Sequence, residues 1–200
     1  MELKTFLHKN LSLKSLALIA LIGLGSAVST ANAAPAANPV VELHTSAGDI
    51  RVELDAARAP ATVANFLQYV DSGFYDGLQF HRVVAGFVAQ GGGYAADGSE
   101  RPTRATVKNE SVGGLGNARG TIAMARKPDP DSASAQFYFN LKDNASLDAK
   151  GDQPGYTVFG HIVQGEDVLD RIGAAPTANK GGAFAQAPRE PILIIKAKRI

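Results

Sequence analysis

The run Phe80-His81-Arg82-Val83-Val84-Ala85-Gly86-Phe87-Val88-Ala89-Gln90-Gly91-Gly92-Gly93 constrains the fold more than any other stretch of the chain. It is apolar and β-forming, Arg82 is its one permanent charge, and three glycines end it. Strand side chains alternate between two faces, so Phe80, Arg82 and Val84 are expected on one and His81 and Val83 on the other. Two roles are open to an arginine among apolar neighbours. Its stem can pack while its head stays wet, or its guanidinium can be a fixed, always charged donor fork at the rim of an apolar pocket. Phe87 and Gln90 favour the second. Gly86 relaxes the backbone ahead of Phe87, and Gln90 brings a donor and an acceptor just before a flexible glycine run. That combination suits a site that buries an apolar ring while hydrogen-bonding the backbone around it.

The segments around this run predict a mainly antiparallel fold. Val40–His44 and Asp49–Leu54 alternate across Ser46-Ala47-Gly48, a hairpin signature. Pro60 suits the first turn of a helix, whose apolar face is Val63, Phe66, Leu67 and Val70 and whose end falls near Asp71-Ser72-Gly73. Thr121–Ala125, Gln136–Leu141, Tyr156–Val163 and Pro191–Ile200 are expected as strands, and Glu166–Ile172 as a short helix with Val168, Leu169 and Ile172 inward. Neither helix is placed as a regular crossover, which argues for an antiparallel sheet or barrel over a parallel α/β fold. Between Gly91 and Gly120 runs a long glycine-rich and polar loop of the kind that often carries function.

Composition narrows the chemistry. At 200 residues, 45% hydrophobic and 20% charged, the chain can bury one substantial core, so disorder throughout is excluded. The net charge of +1 shows no basic excess, and residues 1–33 hold Lys4, Lys9 and Lys14 against Glu2, leaving the remainder slightly acidic. Nucleic acid is therefore not an expected partner. Without cysteine there is neither disulfide, thiolate metal site nor thiol nucleophile. His8, His44, His81 and His161 are too scattered for a helical metal pair, Asp129 and Asp131 lack the spacing of a calcium loop, and no G-x-S-x-G elbow occurs. Gly114, Gly116 and Gly120 miss the dinucleotide spacing by one place. His81 is expected to be packed or hydrogen-bonded locally rather than to react.

The first residues form a separate unit. Three lysines precede the apolar run Ser15–Val28, which Ala31-Asn32-Ala33 follows. This is the order of a cleaved signal peptide, and the run is shorter than the roughly 20 residues of a bilayer span. Residues 1–33 are expected to be removed, residues 34–39 to form a flexible arm and residues 40–200 to form the folded domain, exported and not membrane-bound. No second apolar run of that length follows.

The central run also closely resembles the signature F-H-R-x-x-x-G-F-x-x-Q-G-G of the cyclophilin family of peptidyl-prolyl isomerases. Two further blocks of the family follow in order: Gly120–Arg126 with Ser134–Phe139, then Leu147-Asp148 with Gly155–Gly160. The resemblance spans about Val40 to Ile200 and is strongest to short bacterial secreted members. It implies a closed eight-stranded antiparallel β-barrel capped by two α-helices, with the N- and C-terminal strands side by side. It also implies a monomeric periplasmic isomerase that acts on proline-containing, unfolded or flexible polypeptides without cofactor or metal. Arg82 would be the catalytic donor. Phe87, Val88, Tyr138 and Leu147 would line the proline cavity, Gln90 and Gln136 would orient the peptide, and Ala125 and Arg126 would lie along the groove for the preceding residues. Tyr156 falls where many eukaryotic relatives carry histidine, and its ring could close the cavity. Four departures stand out: Ala85 for proline, Val88 for methionine, Tyr138 for phenylalanine, and Ser146 for the aromatic residue that is tryptophan in members binding cyclosporin tightly. Weak cyclosporin binding is expected. The competing expectation is a proline-peptide binding or chaperone module that keeps the pocket without needing turnover; an intact Arg82 favours the enzyme.

Overall fold

The computed structural model describes residues 37–200; the expected signal peptide and the first half of the arm lie outside the described residues. Twelve strands and two α-helices follow in chain order: β1 (Val40–Thr45), β2 (Gly48–Leu54), α1 (Pro60–Asp71), β3 (Leu78–Gln79), β4 (Arg82–Val84), β5 (Val88–Gly91), β6 (Tyr94–Ala95), β7 (Thr121–Met124), β8 (Phe137–Asn140), β9 (Val158–Gln164), α2 (Glu166–Gly173), β10 (Thr177–Ala178), β11 (Ala187–Pro188) and β12 (Leu193–Arg199). Outside the central Phe80–Gly93 run, each strand predicted from the sequence is present within one or two residues of its expected bounds, and so are both helices.

Ten strands form one antiparallel sheet in the order β4-β5-β8-β7-β9-β2-β1-β12-β3-β6, while β10 and β11 pair separately. The ladder does not close, so the expected closed barrel of eight strands is corrected to an open, curled sheet of ten. The cause lies at Phe80-His81. These two residues join β3, next to one end of the sheet, to β4 at the other, so the chain itself spans the seam. The backbone donors there go to irregular segments: Phe80 N–H to the Ile192 carbonyl (2.9 Å) and Val83 N–H to the Gln186 carbonyl (2.8 Å). The terminal strands do pair as expected, Val41 opposite Arg199 through Thr45 opposite Ile194.

One face of the sheet and the helices enclose the core. Val83, Ala89, Phe139 and Ile122 stand opposite one another across β4, β5, β8 and β7 and are all buried. Phe66 of α1 meets Phe137 edge-on at 5.7 Å and Phe159 at 5.1 Å, an arrangement favoured by the ring quadrupoles. Helix α1 has no capping side chain of its own. The Glu110 carboxylate, from the long glycine-rich loop, instead accepts from Ala61 N–H, Thr62 N–H and the Thr62 hydroxyl (3.0, 2.9 and 2.7 Å), placing negative charge where the helix dipole wants it. The same loop is stapled by Arg101, which donates to the Phe74 and Asp76 carbonyls, and by Arg58, which donates to those of Gly113 and Gly114. It is an ordered wall rather than a slack connection.

Candidate active site

The second face of the sheet carries a transverse row of side chains. Arg82 stands opposite Gln90, Gln90 opposite Tyr138, Tyr138 opposite Ala123, and Ala123 opposite Val158, so β4, β5, β8, β7 and β9 each contribute one residue. Directly opposed residues of antiparallel strands share a face. The guanidinium and the apolar residues beside it are therefore fixed together by register. Val88, Ala123, Tyr138 and Val158 form a buried cluster separate from the main core, and Phe87, Leu115, Ala125, Leu147 and Tyr156 pack against it.

The polar end of the row is a chain of side-chain hydrogen bonds. Arg82 Nη1 donates to Gln90 Oε1 (3.3 Å) and Gln90 Nε2 donates to Gln136 Oε1 (2.9 Å). The Gln136 backbone carbonyl accepts from Ala125 N–H (3.0 Å), tying the residue before β8 to the segment after β7. Phe80 does not share the face of Arg82 as alternation predicted. It lies wholly in the main core, because the strand breaks at Phe80-His81 and the alternation restarts in β4.

The apolar end is held from behind by a buried amide network. The Tyr138 hydroxyl donates to Asn117 Oδ1 (2.7 Å), Asn140 Nδ2 donates to the same oxygen (3.2 Å), and Asn117 Nδ2 donates to the Asp148 carboxylate (2.9 Å). Asn144 Nδ2 donates to Asn140 Oδ1 (2.8 Å) and to the Phe87 carbonyl (2.9 Å). Phe87, Tyr138 and the turn bearing Leu147 are thereby set relative to one another. Burial, with the nearby Tyr156 ring and Asp148 charge, holds the Tyr138 phenol far above its ordinary range, so it stays protonated as a donor.

Arg126 is placed differently from a free groove cation. Its guanidinium stacks 4.6 Å from the Tyr156 ring centroid and donates to the carbonyls of Gly155 (3.0 Å), Lys127 (3.0 Å), Pro128 (3.1 Å) and Pro154 (3.2 Å). It fixes Tyr156 and the loops on either side and lines two hollows. One, of about 350 Å³, also takes in Gln90, Gln136, Ala125, Thr103 and Thr106; the other, of about 190 Å³, adjoins Leu147, Ser146 and Tyr156.

Sequence reasoning missed several contributors. Thr103 and Thr106 come from the long loop, whose length signalled function without naming residues. Ala123 and Val158 fell inside the two later blocks of the family resemblance but carried no signal of their own. Asn117 and Gln186 carried no signal, since their roles are long-range hydrogen bonds. Asp129 and Asp131, which lack the spacing of a calcium loop, have structural partners: Asp129 accepts from Asp131 N–H and Asp131 from Asn109 N–H. Among the described residues no group of three or more acidic, histidine or cysteine side chains is placed to hold a metal ion, and no helix is long and apolar enough to cross a membrane.

Comparison with known proteins agrees with this geometry. Residues 40–199 match the family described as cyclophilin type peptidyl-prolyl cis-trans isomerase/CLD. The chain is 49% identical over 160 residues to peptidyl-prolyl cis-trans isomerase A of Dickeya dadantii, covering 80% of this chain and 84% of that one. It is 48% identical to the isomerase cyp18 of Streptomyces antibioticus over 79% of this chain and 96% of that one. A crystal structure of a cyclophilin type peptidyl-prolyl cis-trans isomerase from Cryptosporidium parvum shares the fold, with a TM-score of 0.68 at 24% identity, covering 82% of this chain and 98% of that one. The signature strand, the two later blocks and the sheet that gathers them on one face thus lead to one assignment: the chain belongs to the cyclophilin-type peptidyl-prolyl cis-trans isomerase family.

Proposed function

We propose that this protein accelerates cis-trans isomerisation of X-Pro bonds, with Arg82 as the electrostatic catalyst beside an apolar proline pocket. The observation that carries the reading is the transverse row, which sets one guanidinium at the edge of the Val88, Tyr138 and Val158 cluster. Rotation about an imide breaks no bond and requires no proton transfer. Its barrier is lost resonance, about 18–20 kcal/mol, which leaves uncatalysed exchange at tens to hundreds of seconds. In the twisted state the prolyl nitrogen regains its lone pair and accepts a hydrogen bond that the planar imide does not. A donor that meets only that state lowers the barrier, whereas equal help to both states would only tighten binding.

Phe87, Val88, Tyr138 and Leu147 would grip the ring, and Tyr156 would close the pocket over it. Gln90 and Gln136 would hold the peptide, with Ala125 and the Arg126 stem beside the residues before proline. An assay of cis-to-trans conversion of a short X-Pro peptide by the parent and Arg82→Ala tests the mechanism. We expect the variant to lose at least tenfold in kcat/KM, within the range for one electrostatic donor; equal turnover would remove the arginine from the mechanism. Proline-peptide binding that persists without catalysis in the parent would support the chaperone reading instead.

We also propose that the protein is a monomer exported to the periplasm, where it assists the folding of other exported chains without nucleotide. The Lys4, Lys9 and Lys14 start, the apolar run and Ala31-Asn32-Ala33 support this. N-terminal sequencing of the extracytoplasmic form is expected to begin near Ala34, and an uncleaved cytoplasmic product would overturn it. Ser146 is exposed at the margin of the smaller hollow and offers no aromatic surface, which supports weak cyclosporin binding.

A further inference from the structure

The Arg82 guanidinium is held from two sides, and one holder comes from a segment outside the family signature. Gln90 accepts from Nη1, while Gln186 Oε1 accepts from Nε at 3.1 Å. Gln186 immediately precedes β11, in a flap made by the β10–β11 hairpin and the 3₁₀ turn Gly182–Phe184 between its strands. The flap is docked by contacts that do not use the Gln186 side chain. The Gln186 backbone carbonyl accepts from Val83 N–H at 2.8 Å. The Phe184 ring lies edge-on to Tyr94 at 5.0 Å and to His81 at 5.9 Å. Lys180 N–H donates to the Phe184 carbonyl at 3.0 Å, and its Nζ donates to the Pro188 carbonyl at 3.3 Å. The flap thus engages both chain neighbours of Arg82, His81 and Val83, and then reaches the arginine itself.

An arginine side chain is long and rotamer-rich, and a catalytic donor acts only when its direction is fixed. Acceptors at Nε and Nη1 determine both the position and the plane of the guanidinium. Nη2 has no protein hydrogen-bond partner among the described residues, so this pair of holders leaves it free to donate to a bound peptide. We propose that Gln186 is a positioning residue for the isomerisation, orienting Arg82 from the flap as Gln90 does from the sheet. The inference rests on the Arg82 mechanism above. It extends that mechanism to a residue whose only route to the reaction is the guanidinium.

The test is the X-Pro peptide assay with separate kcat and KM for the parent, Gln186→Ala, Gln186→Glu, Arg82→Ala and the double variant Arg82→Ala/Gln186→Ala, with thermal unfolding of each. The Gln186 side chain is exposed and the flap is docked by backbone and by Phe184, so Gln186→Ala is expected to keep the parent's melting temperature. Losing one charge-assisted acceptor is expected to lower kcat about tenfold with KM within about twofold. Gln186→Glu keeps an acceptor at the same reach and is expected to recover kcat to within about threefold of the parent, which a merely structural side chain would not require. In the Arg82→Ala background the further loss from Gln186→Ala is expected to vanish. If Arg82→Ala is impaired but Gln186→Ala turns over like the parent, the positioning role is overturned and the arginine mechanism stands. If Arg82→Ala is itself unimpaired, both fall together. If Gln186→Ala lowers kcat equally with and without Arg82, or Gln186→Glu recovers nothing, Gln186 acts by another route and the inference is overturned.

Discussion

His81 shows how far a single residue can be understood from its neighbours. Beside Arg82 in the signature, it was expected to pack locally, and it does: it is 1% exposed, with its ring 4.7 Å from Tyr94. Its Nδ1 is buried without a hydrogen-bond partner. Burial first, and the adjacent Arg82 charge second, push its pKa down to about 4. In the unfolded chain histidine titrates near 6.5. Between those values the unfolded state binds a proton that the native state refuses, so stability falls as pH drops from about 6.5 towards 4. At pH 4.5 the effect should reach about 2.5 kcal/mol. Urea unfolding of the parent and His81→Gln at pH 7 and pH 4.5 checks this: the parent should lose more stability on acidification by that amount, and equal losses would sink the assignment. Carboxylates shared by both proteins cancel in the comparison. The face of each side chain was less legible than its burial, as Phe80 illustrates. Alternation carries across a strand only while the strand is unbroken, and nothing in Phe80-His81 announces a break.

At the scale of elements, period and punctuation were enough wherever the determinants are local. Pro60 and the Val63, Phe66, Leu67, Val70 face located α1, alternation located β1 and β2, and β-forming apolar runs located β9 and β12. The glycine run Gly91-Gly92-Gly93 was misjudged as flexible, because composition does not distinguish freedom from close approach. Gly92 takes a left-handed φ of 82° beside the Phe137 ring, and a Cβ on Gly93 would lie 2.5 Å from the Gln136 amide. Gly93 is therefore the space into which Gln136 folds to meet Gln90. Replacing it with alanine forces Gln136 to move and breaks the chain that runs to Arg82. We expect Gly93→Ala to lower kcat/KM roughly tenfold, since small displacements of positioning groups weigh heavily on the reacting geometry. The loss should be absent when the substitution is made in a Gln136→Ala background. A Gly93→Ala protein as active as the parent would show that this amide does not position the peptide or the arginine.

The whole molecule depends on contacts remote in sequence, and there legibility was uneven. Pairing of the terminal strands could be anticipated from the barrel that the family resemblance implies, which leaves few free edges. The open seam could not, because it is covered by the Gln186 and Ile192 carbonyls, groups that every residue possesses. The same C-terminal region therefore does two things: it covers the seam at Phe80 and Val83, and as β12 it joins β1 to β3. β12 also buries Ile194 and Ala197 in the main core and receives Asp76 Oδ1 at the Ala197 N–H (2.9 Å). Deleting residues 193–200 would strip β1 and β3 of their shared neighbour, expose Leu43 and Leu78, and leave two rows of backbone groups unpaired. Losing the Ile194 side chain alone would cost about 2–5 kcal/mol, already a large part of the 5–15 kcal/mol that holds a typical domain folded. The truncated protein is expected to show no cooperative thermal transition and no isomerase activity. A sharp transition with native-like circular dichroism would mean that the sheet is stable without its last strand, and that the seam rather than β12 holds its two ends together.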